Sequence, residues 1–123
     1  MSREEAIRGC RATYKSGAKL VSIPDLKTNE FVRSIMIGVK SWIALEQKNG
    51  EWIWPDGSSN SFKNWATNPN QPSGDGDFVE IYSSGKWNDL GEKWRGKRNL
   101  RGSVCQSNLG KAKLSNLNLQ CLF

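Results

Sequence analysis

The sequence predicts an α+β domain. Two stretches with helical spacing of apolar residues come first, short strand-like runs follow, and Asn-Gly, Pro-Asp-Gly and Ser-Ser-Gly turns separate those runs. At 123 residues the chain is long enough for one hydrophobic core and too short for two. Six Trp, four Phe and two Tyr supply much of that core, and a charged fraction of 24% with 12 Gly fits a globular, loop-rich chain rather than a disordered one.

Ser2-Arg3-Glu4-Glu5 reads as a capping box, in which Ser2 accepts from the amide near Glu5 and Glu5 reaches back, so a helix starts at once. Ala6, Ile7, Cys10 and Tyr14 form its inner face, and Gly17 is a natural stop. Leu20-Val21-Ser22-Ile23 is a short apolar run halted by Pro24. A second helix is expected from about Thr28, with Phe31, Val32, Ile35 and Met36 inward and Gly38 just beyond. Trp42-Ile43-Ala44-Leu45 and Trp52-Ile53-Trp54 flank Asn49-Gly50, the strongest hairpin signal in the chain. From Ser58 to Asp77 the chain is polar except for Phe62 and Trp65. A loop of that length needs pins, and the two aromatics supply them, which favours a functional loop. Phe78-Val79-Glu80-Ile81-Tyr82 reads as a strand, Ser83 to Gly85 as a turn, Trp87 to Leu90 as the hairpin partner, and Val104-Cys105 marks a last strand.

Several function classes lose their means. The chain has no histidine, the usual general acid/base and commonest transition-metal ligand, so serine and cysteine hydrolase arrangements and most zinc sites lack a central member. Acidic residues are scattered, and no pair stands out as general acid and base, so an enzyme is not expected. No run approaches membrane-spanning length, and charged residues follow Met1 at once, so neither a transmembrane helix nor a secretory leader is expected within this chain. Cys10, Cys105 and Cys121 lack Cys-x-x-Cys spacing, which argues against a redox dithiol or zinc knuckle. A bridge that closes a long loop, such as Cys10 to Cys105, is one reading; three buried reduced thiols is the other.

The candidate chemistry lies between Trp65 and Asp89. Asn68, Asn70, Asp75, Asn88 and Asp89 offer neutral and anionic oxygens, the ligands of a hard cation such as calcium, which takes about six to eight of them. A proline between Asn68 and Asn70 would stiffen the turn, the more so if the Asn68–Pro69 bond is cis. The plain alternative is that Asn, Pro, Gly, Ser and Asp are the residues of which loops are made.

From Glu5 to Asn108 the chain resembles a C-type lectin-like domain. The resemblance is carried by Cys10 in the first helix, then Gly17-Ala18-Lys19-Leu20-Val21-Ser22-Ile23, Trp42-Ile43-Ala44-Leu45, Trp52-Ile53-Trp54-Pro55-Asp56-Gly57, Asn64-Trp65, Pro69-Asn70, Val79-Glu80-Ile81, Gly85-Lys86-Trp87-Asn88-Asp89 and Cys105. No single piece is specific, but their order and spacing are. It implies a double-loop α+β domain over residues 1–108, with two helices and small antiparallel sheets. It also implies a Cys10–Cys105 disulfide, a secreted or extracellular setting whose leader lies outside this chain, and a calcium site that binds sugar hydroxyls. In that site Asn68-Pro69-Asn70 takes the place of the Glu-Pro-Asn triplet linked with mannose-type ligands, and Asn88 and Asp89 match the strand ligands.

Departures from the family pattern weaken the calcium expectation. Asn68 puts an amide where a carboxylate is expected, and Gly76 stands where a further acidic ligand belongs, between Asp75 and Asp77. A slipped match puts Gln71-Pro72-Ser73 in the triplet position, like the galactose-type Gln-Pro-Asp without its Asp. Fewer anionic ligands mean weaker calcium. The family's inner disulfide would join the positions of Phe78 and Glu92 and is absent, as is the strand that opens the domain.

The formal net charge is +6, and Lys93, Arg95, Lys97, Arg98 and Arg101 crowd into one segment. That suits sulfated or sialylated glycans or another anionic surface, with a solvated basic loop as the plain alternative; nothing resembles a nucleic-acid reading element. Residues 109–123 lie outside the resemblance. Leu117, Leu119 and Cys121 alternate as a half-buried strand would, so the tail either folds back beside the last strand or has no packing role, which would leave Cys121 able to link two chains. The sequence thus points to a calcium-dependent carbohydrate-binding module, with a calcium-independent domain for a protein or anionic glycan as the alternative.

Overall fold

The computed structural model describes residues 2–13, 18–36, 38–67, 70–74, 76–91 and 102–106. Its elements run in the order α1 (Arg3–Thr13), β1 (Lys19–Leu20), α2 (Leu26–Ile35), β2 (Ser41–Lys48), β3 (Glu51–Ile53), β4 (Phe78–Ile81), β5 (Trp87–Leu90), β6 (Gly102–Ser103) and β7 (Cys105–Gln106).

Helix α1 opens on the capping box that the sequence predicts. Ser2 N donates to Glu5 Oε1 at 2.9 Å, and Glu5 N donates to Ser2 Oγ at 3.2 Å. Ala6 and Cys10 are fully buried beneath it. The expected Tyr14 and Gly17 lie outside the described residues. Helix α2 begins two residues before Thr28, because Asp25 caps it and its Oδ1 accepts from Thr28 N at 2.7 Å. Its buried face is narrower than expected. Val32 and Asn29 are buried, Ile35 and Met36 pack at the margin, and Phe31 stays partly exposed.

Strands β2 and β3 form the expected hairpin, pairing Glu46 with Ile53 and Lys48 with Glu51. Asn49 (φ 53°) and Gly50 (φ 80°) make the turn, both in the left-handed region that a two-residue hairpin of matching twist requires. Strand β4 lies antiparallel on the other side of β2, and β5 antiparallel on β4, giving the order β3-β2-β4-β5 with β6 parallel to the start of β2. Tyr82 falls just past β4 rather than within it, and the expected last strand is split into β6 and β7 around Val104.

A second, two-stranded sheet pairs β1 with β7. Val21 joins the sheets: its amide donates to Val104 O and its carbonyl accepts from Ala44 N, both at 2.9 Å. Cys10 and Cys105 are bridged, with Cα atoms 5.6 Å apart, fastening α1 to β7 across 95 positions of sequence. Core side chains from Val21, Ile23, Trp42, Ile43, Leu45, Val79, Ile81 and Trp87 fill the space between helices and sheets. Arg3 donates to the largely buried Glu46 at 3.0 Å and lies 4.1 Å over the Phe78 ring, so one of the positions lacking the family's inner cysteine serves as a cation seat. Glu92, the other such position, and the tail 109–123 lie outside the described residues.

Candidate functional site

The long loop is pinned by aromatics, as the sequence suggests. Trp87 is fully buried and receives Trp54, Phe62 and Trp65 edge-on at 5.7, 5.7 and 5.9 Å between ring centroids, and Trp65 meets Trp52 at 5.1 Å. Backbone bonds complete the hold: Ala66 N donates to Trp87 O and Trp87 N to Asn64 O, each at 2.9 Å. Loop residues 64–66 therefore run beside β5, the strand that carries Asn88 and Asp89.

Successive side chains leave a strand on opposite faces, and these two neighbours serve different partners. Asn88 stands opposite Glu80 in the β4–β5 register, and its Nδ2 donates to Glu80 Oε2 at 2.8 Å. The Asp89 carboxylate is fully buried and gathers the loop. Its Oδ1 accepts from Ser73 N at 2.8 Å and Ser73 Oγ at 3.3 Å, and its Oδ2 accepts from Gly74 N at 2.9 Å. A carboxylate wrapped by backbone N–H groups makes short, charge-assisted bonds, so Asp89 acts as an anionic peg for residues 73 and 74.

Other candidates fall differently. Asn70 is exposed and forms an isolated bridge with Thr67. Asn68 and Asp75 lie outside the described residues. The cis peptide bond that the structure describes is Gln71–Pro72; the Asn68–Pro69 bond lies outside the described residues. Ser73, of the slipped Gln71-Pro72-Ser73 match, is the residue that meets Asp89. Gln71 is held through its amide to Ala66 O at 2.8 Å, while its buried Oε1 has no hydrogen-bond partner among the described residues.

At Gly76 the backbone itself decides. A Cβ there would lie 2.2 Å from both the carbonyl carbon and oxygen of Leu90 and 2.4 Å from Gly91 N, so this path of the loop admits no side chain where the resemblance expects an acid. The sequence reading missed Glu80 and Asn29. Glu80 alternates with apolar neighbours on β4, a signal that points outward on a half-buried strand, yet it is 1% exposed. Asn29 lies under the turn after β4, where its Nδ2 donates to Gly85 O at 3.0 Å and its Oδ1 accepts from Trp87 Nε1 at 2.8 Å.

The described donors do not fit calcium. Calcium asks for about six to eight oxygens, several of them anionic, whereas the Asp89 carboxylate already takes three donors and the place at 76 excludes a carboxylate. Among the described residues no cluster of three or more His, Cys, Asp or Glu side chains is placed to hold a metal.

The family model described as "Lectin C-type domain" matches residues 1–107. The chain belongs to the C-type lectin domain family. It is 36% identical over 95 residues to mouse C-type lectin domain family 10 member A, covering 69% of this chain and 30% of that protein. Against rat asialoglycoprotein receptor 1 it is 32% identical over 109 residues, 77% of this chain and 34% of the receptor. The lectin chain thus spans about a third of these relatives' length. Among solved structures, the mouse scavenger receptor C-type lectin carbohydrate-recognition domain superposes with a TM-score of 0.63 at 25% identity, covering 76% of this chain and 75% of that one. The cow CD23 carbohydrate-recognition domain, solved in the presence of a GlcNAc2Man3 oligosaccharide, gives 0.62 at 29% identity, with 73% and 70% covered. These relatives are lectins and receptors. Among the described residues no helix of this lectin domain is long and apolar enough to cross a membrane.

Proposed function

We propose that this lectin domain is a glycan-binding module that works without calcium, using the surface formed by residues 70–74, 76 and 77 beside Phe78 and Asn88, and that it prefers anionic glycans. The observation that supports it is the Asp89 peg: the carboxylate that would serve a cation holds Ser73 and Gly74 instead, so the loop is shaped by hydrogen bonds. The net charge of +6 supports the anionic preference through its long-range field. The bridge between Cys10 and Cys105 suits an oxidising compartment, and a secreted or extracellular location belongs to the same reading.

A glycan array with mannose-type, galactose-type, sulfated and sialylated ligands, run with calcium and with chelator, is the test. Binding of sulfated or sialylated ligands that chelator leaves unchanged is the expected result. A thermal melt gives an independent arm. A cation bound only by the folded state at a hundred times its dissociation constant stabilises by about 2.7 kcal/mol, so a calcium-dependent rise in melting temperature, with glycan binding lost in chelator, would overturn the proposal.

A further inference from the structure

A cavity of about 280 Å³ opens between α1, β1 and the turn that follows β3, and none of its lining residues belongs to the 70–77 loop, β4 or β5. Its walls are divided by chemistry. Ile7 and Leu20 are its apolar lining, Arg11 and Lys19 its cations, and Ser22 and Asp56 its oxygen groups, with Lys19 near enough to Asp56 for its charge to act on that carboxyl. Neither Arg11 nor Lys19 has an ion-pair partner within 4 Å among the described residues, whereas the nearby Arg3 guanidinium is committed to Glu46. Burial pushes the Asp56 carboxyl up, but bonds from Ser58, together with nearby Ser22 and the charge of Lys19, outweigh it and keep the group below the ordinary carboxylate range; Ser58 N donates at 3.0 Å and Gln106 Nε2 at 3.4 Å. Ser22 Oγ is buried beside this carboxylate yet closes no hydrogen bond of normal geometry among the described residues.

We propose that this cavity is a second binding site, for a small hydroxy acid with an apolar body. The three requirements follow from the walls. An apolar body removes the apolar lining from water, and a carboxylate seated against Arg11 and Lys19 gains two opposite charges at once. A hydroxyl beside that carboxylate donates to Asp56, whereas an acid without it meets Asp56 only as a like charge. Size sets the limit: a cavity of about 150 Å³ holds benzene, so this one holds a single ring with a short polar arm.

The test is a titration of the isotope-labelled full chain with 3-phenyllactate, read by amide shifts in two-dimensional NMR. Saturable shifts at residues 7, 19–22, 44 and 56 with millimolar affinity are expected, and 3-phenylpropionate, which lacks the hydroxyl, and 2-phenylethanol, which lacks the carboxylate, should both bind more weakly. Arg11 is exposed, so Arg11→Ala keeps the fold, which its own spectrum verifies, and weakens phenyllactate about fivefold. The absence of saturable shifts, shifts confined to the 70–77 loop, or unchanged affinity in Arg11→Ala would each overturn the site. None of these outcomes depends on glycan binding.

Discussion

Asp89 shows how one side chain changes the work of a loop. In the sequence it stands with Asn88 as a pair of oxygen ligands; in the fold it is fully buried and satisfied by Ser73 and Gly74. Asp89→Ala leaves two backbone donors without their acceptor, at a cost of roughly 2–4 kcal/mol, so a large fall in melting temperature is expected, the same with calcium and with chelator. Gly76→Ala tests the same packing from the other side, since its Cβ falls on the Leu90 backbone. It should destabilise by about 1–3 kcal/mol as the loop shifts, measured by denaturant unfolding. The site was legible in outline only. Composition marks the loop, and the Gln71-Pro72-Ser73 match names the residue that meets Asp89, but no local pattern tells a carboxylate that binds a cation from one that binds amides. Asp25, the cap of α2, ties stability to pH. Its hydrogen bond with Thr28 holds its pKa below the ordinary 3.8, so the cap's contribution is complete above the unfolded pKa and fades as pH falls through the folded one. Asp25→Ala should cost about 1 kcal/mol at neutral pH, and the gap from the parent should close below about pH 4 in acid-dependent melts.

Elements with strong local signals are the ones the sequence places well. The Ser2–Glu5 capping box, the Asn49-Gly50 hairpin and the Trp87 strand each obey a rule acting over a few residues, so they survive in the fold. The misread features depend on distant partners. Asn29 lies three residues before Val32 and seven before Met36, on the inner face of α2, but its polar side chain hides that from an apolar pattern; it is buried because Gly85 O and Trp87 Nε1, 56 and 58 residues away, both bond to it. Glu80 is likewise buried by its cross-strand neighbour Asn88. Asn29→Ala should therefore loosen α2 from the β4–β5 turn. Loss of two buried bonds costs about 2–3 kcal/mol, and hydrogen exchange at residues 85–87 should accelerate more than at β2.

At the scale of the molecule, one covalent tie and one apolar core share the task of holding a domain whose sheets are joined by the backbone bonds of Val21 to Val104 and Ala44. α1 packs on β1 and β6, and the Cys10–Cys105 bridge keeps it there by closing a loop across 95 positions. In the chain-entropy account a closure of that size destabilises the unfolded state by on the order of 4 kcal/mol. The family's inner bridge is absent, so its share in fixing the long loop passes to Trp87 with its three aromatic neighbours and to Asp89. These two devices are independent of sulfur chemistry. Replacing both Cys10 and Cys105 with Ala should lower the melting temperature by roughly 15 °C or more, while amide shifts in the 70–77 loop and at β5 stay close to those of the parent. If those shifts change as much as the ones in α1, the bridge supports the loop as well, and the division of labour between disulfide and aromatic peg does not hold.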